Sequence, residues 1–473
     1  MELLFPISFF NTFSRQLESF APLVPGQVGI YCCGPTVYLD QHIGNLKTYL
    51  FEDVLVRTLR LAGYQVKHVM NITDVGHLVS DADEGEDKMV LAMRREKKRS
   101  SEIADYYSAK FFADCRKLNI QRPDVVCKAT EHIADMIQLI QRIEKNGFTY
   151  ISNGNVYFDV SKFPDYGRLA RIDIQKQLPG ARVEIDAGKK NPFDFVLWFT
   201  KSKFENQELQ WDSPWGRGYP GWHIECSAMS MKYLGDSFDI HCGGIDHIPV
   251  HHTNEIAQSE AATGKKWVHY WLHGEFLLMN ADKMAKSKGN LKVLDDLIAL
   301  GVEPLAYRYL CLSSHYRSQL NFSWEALENA QSALKKLKNA VTALKTQAPL
   351  VPSGIPVTPK AQDHLKRFGE ALGDDLNTPK ALAVVSALLS DKELSVEDRL
   401  SLLYKFDEVL GLDMPNWTVE ELVIPEEVQA LAAEREKARQ AKDWPTADRL
   451  RQAIEERGFA VKDLPQGPVI TKR

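Results

Sequence analysis

The sequence predicts an α/β protein: a Rossmann-like parallel sheet split by an insert, followed by a helical bundle and a small C-terminal α+β unit. Three observations carry this. A strand, helix, strand unit spans residues 26–75, a second half of the same kind begins near Gly218, and from Leu291 onward the pattern is mostly helical. At 473 residues and 53.6 kDa the chain is too long for one core, so two to four domains are expected. Its 44% hydrophobic and 26% charged residues are those of a globular enzyme and exclude a collagen-like or disordered chain.

From Gly26 to Cys33 the residues are β-rich, and Gly34-Pro35 breaks the run. Leu46 to Leu61 then sets Leu50, Val54, Leu55 and Leu59 at three- and four-residue spacing, with Gly63 as C-cap, which predicts a helix. Tyr64 to Val75 reads as the second strand, so parallel pairing through a right-handed crossover is expected in a first half over 1–125. Residues 126–216, rich in Gly, Pro, Asp and short β-like runs, read as an insert. The second half, 217–325, is expected to hold helix Trp222–Tyr233, strand Phe238–His241, helix Val250–Ala262 opening after Pro249, and strand Glu275–Met279. A bundle over 326–412 is interrupted by a Pro-rich connector at 346–356, and a linker at Pro415–Pro425 leads into a C-terminal unit over 420–473.

The net charge of −5 supplies no global positive field, so any nucleic-acid contact must come from local basic patches. Seven cysteines are odd in number and sparse for this length, which argues for free or metal-bound thiols in a reducing cytosol. No basic-flanked apolar leader opens the chain and no run of 18 apolar residues follows, so a cytoplasmic protein without a membrane span is expected.

Chemistry first appears after the opening strand, where Pro35 leads through His42-Ile43-Gly44-Asn45 into the helix. A helix N-terminus with free N–H groups, a glycine allowing close approach and a histidine able to donate to an anionic oxygen form a phosphate grip; alone, the same residues make an ordinary capping turn. The second element is Asp282-Lys283-Met284-Ala285-Lys286-Ser287-Lys288-Gly289-Asn290, whose lysines can neutralise a triphosphate, or else simply meet solvent. Seven of the 13 histidines (His223, His241, His247, His251, His252, His269, His273) fall within residues 223–273 beside Cys226 and Cys242, a density that points to metal. On a helix from Val250, His251 and Glu255 face the same way and His252 is turned about 100° away. Cys226 and one cysteine at the end of the first strand can complete a tetrahedral set; read alone, histidines on helices more often pack in the core or meet solvent. Strand alternation sends Cys32 and Cys33 to opposite faces, so only one of them serves.

In this order, the two phosphate motifs resemble the signature of class I aminoacyl-tRNA synthetases, and the chain resembles the cysteinyl-tRNA synthetases along essentially its whole length. The matching stretches are Tyr31-Cys-Cys33-Gly-Pro-Thr36-Val-Tyr38, Asn71-Ile-Thr73-Asp74, Gly221-Trp222-His223-Ile-Glu-Cys226, Phe238-Asp-Ile-His241-Cys-Gly-Gly244-Ile-Asp246, His251-His-Thr-Asn-Glu255, Tyr316-Arg-Ser-Gln-Leu-Asn and Asp374-Asp-Leu-Asn377-Thr-Pro379. The resemblance implies one zinc ion held by Cys33, Cys226, His251 and Glu255. It implies cysteine beside Gly34, Thr36, Thr73, Trp222 and His241. ATP with Mg2+ would lie against His42, Gly44, Asn45, Gly244, Asp246 and Lys286, with His42, Asn45, Lys283 and Lys286 acting in catalysis. Asn45 replaces the usual histidine, Ala285 the usual serine, and Cys242 a usual glycine or small residue.

The implied reaction is in-line attack of the cysteine carboxylate on the α-phosphate of ATP, then transfer from cysteinyl-adenylate to the 3′-terminal adenosine of tRNA(Cys), at the 2′ hydroxyl by the class I pattern. No protein nucleophile is required; positioning and charge neutralisation supply the rate. Shape alone separates cysteine from serine poorly, by roughly 1–3 kcal/mol in apolar pockets, whereas a soft metal prefers the thiolate. We therefore expect the substrate sulfur on the ion. Residues 431–473 carry ten Lys/Arg against seven Asp/Glu, with Trp444 among cations. By composition this is an ordinary charged helix; the resemblance implies instead anticodon reading by Arg439, Trp444, Asp448 and Asp463. The basic run Arg94, Arg95, Lys97, Lys98, Arg99 reads as a solvated helix face. The family suggests a monomer. A ligase joining cysteine to a small amine, as in mycothiol synthesis, would share the catalytic half but lack residues 420–473. A catalytically silent RNA-binding paralogue would have lost a zinc ligand, His42 or Lys286, and all are present.

Overall fold

Strand β1 (Gln27–Cys32) lies at the centre of a five-stranded parallel sheet and is followed by helix α1 (Ile43–Ala62) and strand β2 (Gln65–Ile72). In this computed structural model the described residues are 3–75, 88–172, 188–201, 209–279, 282–283, 292–348, 354, 356–418, 424–464 and 467–472. The chain divides into two compact units, Met1–Asn416 and Trp417–Arg473.

Helix α2 (Ser100–Lys117) leads to strand β3 (Val125–Lys128), and helix α3 (Ile133–Lys145) follows it. Helix α4 (Trp222–Leu234), strand β4 (Phe238–Gly244), helix α5 (His251–Thr263) and strand β5 (Val268–Gly274) then complete the layer. The sheet order is β5-β4-β1-β2-β3, all parallel, so the winding reverses between β1 and β4 and opens a crevice at their C-terminal ends. Residues 126–128, placed in the insert from composition, pair as part of this sheet. Helix α3 packs against α4 and α5, so it too lies with the sheet layer. The insert's own sheet is antiparallel and runs Thr149–Ser152, Asn155–Phe158, Phe195–Phe199, Tyr219–Pro220, with Phe158 stacked on Phe195 at 5.0 Å.

Helix α1 ends where Gly63, at φ 110°, donates its N–H to Arg60 and Leu59 carbonyls, a left-handed turn that only glycine enters without strain. Sixteen of its 20 residues are buried, because it packs on the sheet and also against the helices Pro304–Leu312 and Val396–Leu410. Asp53 on its outer side binds Arg57 Nε at 2.8 Å and Arg308 Nη2 at 2.7 Å. Strand Leu277–Met279 pairs parallel with Leu320–Phe322 and antiparallel with Asp282–Lys283. Long helices Trp324–Gln347, Pro359–Gly373, Thr378–Ser390 and Val396–Leu410 follow.

In the second unit, helices Glu426–Gln440 and Trp444–Glu456 pack with a hairpin of Phe459–Leu464 and Gly467–Lys472 around Val428, Ala432, Ile454 and Val461. No helix among the described residues is long and apolar enough to cross a membrane. The basic run at 94–99 pairs with carboxylates on its own surface, Arg95 and Lys98 with Glu96 and Arg99 with Glu102.

Candidate active site

The crevice holds a cavity of 350 Å3. Its walls include Cys33, Gly34 and Thr36 from the turn after β1, His42 and Asn45 from the start of α1, and Thr73 after β2. Trp222 and Cys226 of α4, Gly244 and Asp246 at the end of β4, and His251 of α5 close it. The reversal of winding thus brings residues from six separate motifs to one opening.

Two features set the turn after β1. Gly34 donates its N–H to Asn71 Oδ1 at 2.8 Å, and Asn71 Nδ2 donates to Thr73 Oγ1 at 3.0 Å. Thr73 Oγ1 in turn donates to Glu225 Oε2 at 3.1 Å. A Cβ on Gly34 would lie 1.7 Å from the Asn71 carbonyl oxygen, so the two backbones touch at a distance that admits only glycine. The variant Gly34→Ala is therefore expected to lose cysteine activation by at least about 100-fold, since a displacement near 1 Å at such a turn has that effect; an unchanged rate of pyrophosphate exchange would contradict this packing.

His42 caps α1, its Nδ1 accepting the Asn45 N–H at 3.2 Å. That bond fixes the neutral tautomer as Nε2–H, leaving the ring's donor at Nε2. Gly44 permits it, because a Cβ there would meet the His42 Nδ1 at 2.9 Å. The Ile43 N–H binds the Lys292 carbonyl at 2.8 Å and His42 pairs with Val293, so the signature turn holds the residues just after the lysine loop. Lys286 itself, with 284–291, lies outside the described residues, as does the side chain of Lys283.

Behind the cavity sits a buried cluster of soft and hard donors. Ligating atoms of Cys33, Cys226, His251 and Glu255 lie within 4.8 Å of one another. Cys33 and Cys226 sulfurs are 4.0 Å apart, and His251 Nε2 lies 2.6 Å from Glu255 Oε1. That last pair does not have hydrogen-bond geometry: both atoms are buried with no hydrogen-bond partner among the described residues. His251 Nε2 and Glu255 Oε1, close together without a hydrogen bond beside two thiols, form a set of ligating groups that a cation satisfies once it displaces their protons, so the residues fit a metal ion. Burial opposes charge on both members of the pair, yet their mutual attraction wins. The His251 imidazole is pushed up to about 10 and the Glu255 carboxyl is held well below its usual range. Burial pushes the Cys33 thiol well up, whereas Cys226 is lowered despite burial because the Cys33 thiol donates to its sulfur and the neighbouring His251 imidazole favours the thiolate. Partners behind the cluster orient it: His223 Nδ1 lies 2.9 Å from His251 Nδ1, and His241 Nε2 lies 2.8 Å from Glu255 Oε2.

Of the residues expected against the amino acid, His241 is fully buried and off the cavity wall, with its Nε2 on Glu255, which is off the wall as well. His252, expected to point away, lies with Nε2 3.4 Å from Cys33 Sγ and belongs to a second possible set, Cys33, His241, His252 and Glu255. We favour the set with Cys226, because in that second set His241 Nε2 is already tied to Glu255 Oε2 at 2.8 Å, whereas His251 Nε2 and Glu255 Oε1 have no hydrogen-bond partner among the described residues; His252 Nδ1 lies 2.8 Å from His273 Nε2, and His273 Nδ1 2.8 Å from Thr12 Oγ1. This chain to Thr12 had no sequence signal, since its members are 261 residues apart. Asn71 and Glu225 were quoted within motifs, but their roles as clamp and threonine partner come only from the fold.

In the second unit, Trp444 is 56% exposed and Asp448 is exposed. Arg439 Nη1 lies 2.5 Å from Asp463 Oδ1, which also takes a bidentate pair from Arg435 at 2.8 and 3.0 Å. Two residues expected to read bases are thus bonded to each other, and Arg435 joins them.

Residues 19–332 match the family model of the class I (C) tRNA synthetase catalytic domain, and residues 423–467 that of the cysteinyl-tRNA ligase anticodon binding domain. A cysteine–tRNA ligase of Treponema denticola is 51% identical over 96% of this chain and 97% of the relative. The chain belongs to the cysteine–tRNA ligase family. Cysteine–tRNA ligase 1 of Burkholderia lata is 48% identical over 98% of this chain and 96% of the relative. Among solved structures, Mycobacterium tuberculosis methionyl-tRNA synthetase in complex with methionyl-adenylate superposes with a TM-score of 0.55 at 15% identity, covering 82% of this chain and 90% of that one. At that identity the likeness speaks to the class I fold alone.

Proposed function

We propose that this member of the family selects cysteine through a zinc ion held by Cys33, Cys226, His251 and Glu255, activates it with ATP and Mg2+, and charges the 2′ hydroxyl of the terminal adenosine of tRNA(Cys). The single observation that carries the reading is the pair of buried thiols with unbonded His251 and Glu255 atoms, set behind the same cavity whose mouth bears His42 and Asn45. Bound zinc supplies a soft Lewis acid that holds a thiolate far more firmly than an alcohol.

The chain's own residues do the rest. Gly34, Thr36, Thr73 and Trp222 enclose the amino acid, with His241 acting from behind by holding the Glu255 carboxylate. His42 Nε2–H and Asn45 donate to phosphate oxygens at the positive end of α1, Gly244 lets the nucleotide approach, and Asp246 accepts from its ribose. Lys283 and Lys286 neutralise charge on the departing pyrophosphate. Asn45, uncharged where the class I signature commonly ends in histidine, contributes a hydrogen bond without a cation. A cytoplasmic monomer fits this reading, and all seven cysteines are free.

Trp444 offers an exposed face on which an anticodon base stacks, with Arg439, Asp448 and Asp463 reading base edges. Trp444→Ala is accordingly expected to raise KM for tRNA(Cys) by about 1–3 kcal/mol of lost stacking while leaving cysteine-dependent pyrophosphate exchange untouched. A fall in exchange would place Trp444 in folding rather than recognition. The match of residues 423–467 to the anticodon binding domain favours tRNA over a small amine as acceptor. Exchange of pyrophosphate into ATP with cysteine but not serine, followed by charging of tRNA(Cys) against a panel of amines, tests the whole reading. Exchange without tRNA charging would favour the small-amine ligase instead.

A further inference from the structure

Two stretches matched in sequence, Tyr316-Arg-Ser-Gln-Leu-Asn and Asp374-Asp-Leu-Asn377-Thr-Pro379, belong neither to the cavity wall nor to the metal cluster. The fold joins them at Asp375, in the turn between the helices Pro359–Gly373 and Thr378–Ser390. Asp375 is buried. Its Oδ1 accepts the Tyr316 hydroxyl at 2.7 Å and the Phe10 N–H at 2.9 Å, and its Oδ2 accepts from Arg317 Nε at 2.6 Å. Its own N–H donates to the Ser8 carbonyl at 3.1 Å. One carboxylate thus fastens a turn of the bundle to the strand Ser8–Asn11 and to the segment that follows His315. The turn is strained: Asp375 and Leu376 are both left-handed, at φ 55° and 56°, a conformation that residues with a side chain keep only where their surroundings impose it.

What Asp375 holds leads on to the chemistry. The Tyr316 ring stacks on Phe51 of α1, with centroids 4.5 Å apart and planes 4° apart. The Tyr316 carbonyl accepts the Glu275 N–H at 2.9 Å. Lys47, buried on α1, donates from Nζ to the Glu275 carbonyl at 2.7 Å and to the Tyr316 carbonyl at 3.5 Å. Just beyond Glu275 the chain forms the strand Leu277–Met279, which pairs with Leu320–Phe322 and with Asp282–Lys283. A continuous run of contacts therefore leads from Asp375 through Tyr316 to two places. One is α1, which carries His42 and Asn45 at its N-terminus; the other is the strand that enters the lysine loop.

We propose that Asp375 is a positioning residue for the activation step. Through the Tyr316 hydroxyl it fixes where the strand Leu277–Met279 lies against α1, and so holds the N-terminus of α1 and the entry to the lysine loop at a set spacing. The inference rests on the reading above, in which the lysine loop neutralises the departing pyrophosphate. A displacement near 1 Å of a group that meets the transition state slows the reaction by about 100-fold. Cysteine is held elsewhere in that reading, by Gly34, Thr36, Thr73 and Trp222, so loss of the tie acts on turnover and leaves cysteine affinity in place.

Two variants of the full chain test this. Tyr316→Phe keeps the ring on Phe51 and removes only the hydroxyl, whereas Asp375→Asn turns an amide N–H toward one of the donors that the carboxylate accepted. In cysteine-dependent pyrophosphate exchange, kcat is expected to fall about tenfold in Tyr316→Phe and about 100-fold in Asp375→Asn, with KM for cysteine within about twofold of the unaltered chain. Titration of the cysteinyl-adenylate formed per chain separates positioning from folding. A positioning role leaves the fraction of chains that form adenylate unchanged and slows each of them, and a structural role lowers that fraction. Tyr316→Phe carries the test should Asp375→Asn fail to fold. An unchanged kcat in Tyr316→Phe would overturn the proposal, as would a loss accounted for by fewer competent chains or by a raised KM for cysteine. An unaltered chain without cysteine-dependent exchange would instead overturn the function proposed above, and this inference with it.

Discussion

Replacing Cys226 by serine is expected to strip the metal from the purified protein and to raise KM for cysteine by at least about 100-fold. Loss of a group that merely orients a ligand costs 10- to 100-fold, and Cys226 is proposed as a ligand itself. Its sulfur lies in the cluster with Cys33, His251 and Glu255, and its depressed pKa marks it as the thiol most ready to bind a cation. Serine keeps the size but offers a hard, protonated oxygen. The remaining three donors then lose tetrahedral closure, and the two unbonded atoms on His251 and Glu255 collapse into an ordinary ion pair. Elemental analysis together with pyrophosphate exchange across cysteine concentrations reads both effects. A variant that kept metal and KM would transfer the assignment to the set with His241 and His252.

Asp53→Ala is expected to destabilise the first unit by about 3–5 kcal/mol, the cost of breaking a buried ion pair from one side. Asp53 is 3% exposed and Arg308 is fully buried. The carboxylate meets Arg57, Arg308 and the Gln121 N–H, while the guanidinium of Arg308 otherwise reaches only neutral carbonyls of Leu118, Asn119, Val409 and Leu410. Removing it leaves two cations out of water with no anion bonded to them among the described residues. Because Asp53 sits midway along α1, whose N-terminus bears His42 and Asn45, the same change is expected to lower activity near the unfolding transition before it does so at low temperature. Urea unfolding followed by fluorescence measures the shift. A loss below about 1 kcal/mol, the range of exposed pairs, would show that the network is not desolvated.

Strands β1, β2 and β4 and helices α1, α4 and α5 were legible, β1 because Gly34-Pro35 ends it and α1 because its apolar residues recur at three- and four-residue spacing, whereas strand β5 at Val268–Gly274 was not read. The choice between Cys32 and Cys33 was left to strand alternation, and the fold resolves it. Cys33 faces Cys226, whereas Cys32 lies beside Cys242, its register partner on β4, and Glu52. Other features escaped for physical reasons. Strand Val125–Lys128 has four residues and no alternation, so its pairing depends on β2 rather than on its own pattern. Helix α1 carries its apolar residues at helical spacing, yet Asp53 is buried because a second layer of helices covers its side and brings Arg308 to it, and Glu52 is buried beside Cys32 of β1. His252 was turned away by helical geometry alone, but the end of β1 reaches across the start of α5 and meets it.

The account rests on sulfur meeting metal. Cobalt(II) substituted for the native ion, with the protein then titrated with L-cysteine and separately with L-serine, tests this most directly. Growth of a sulfur-to-cobalt charge-transfer band saturating at one cysteine per chain, with serine leaving the spectrum unchanged, is the predicted result. A spectrum indifferent to cysteine in protein that still forms the adenylate would contradict it.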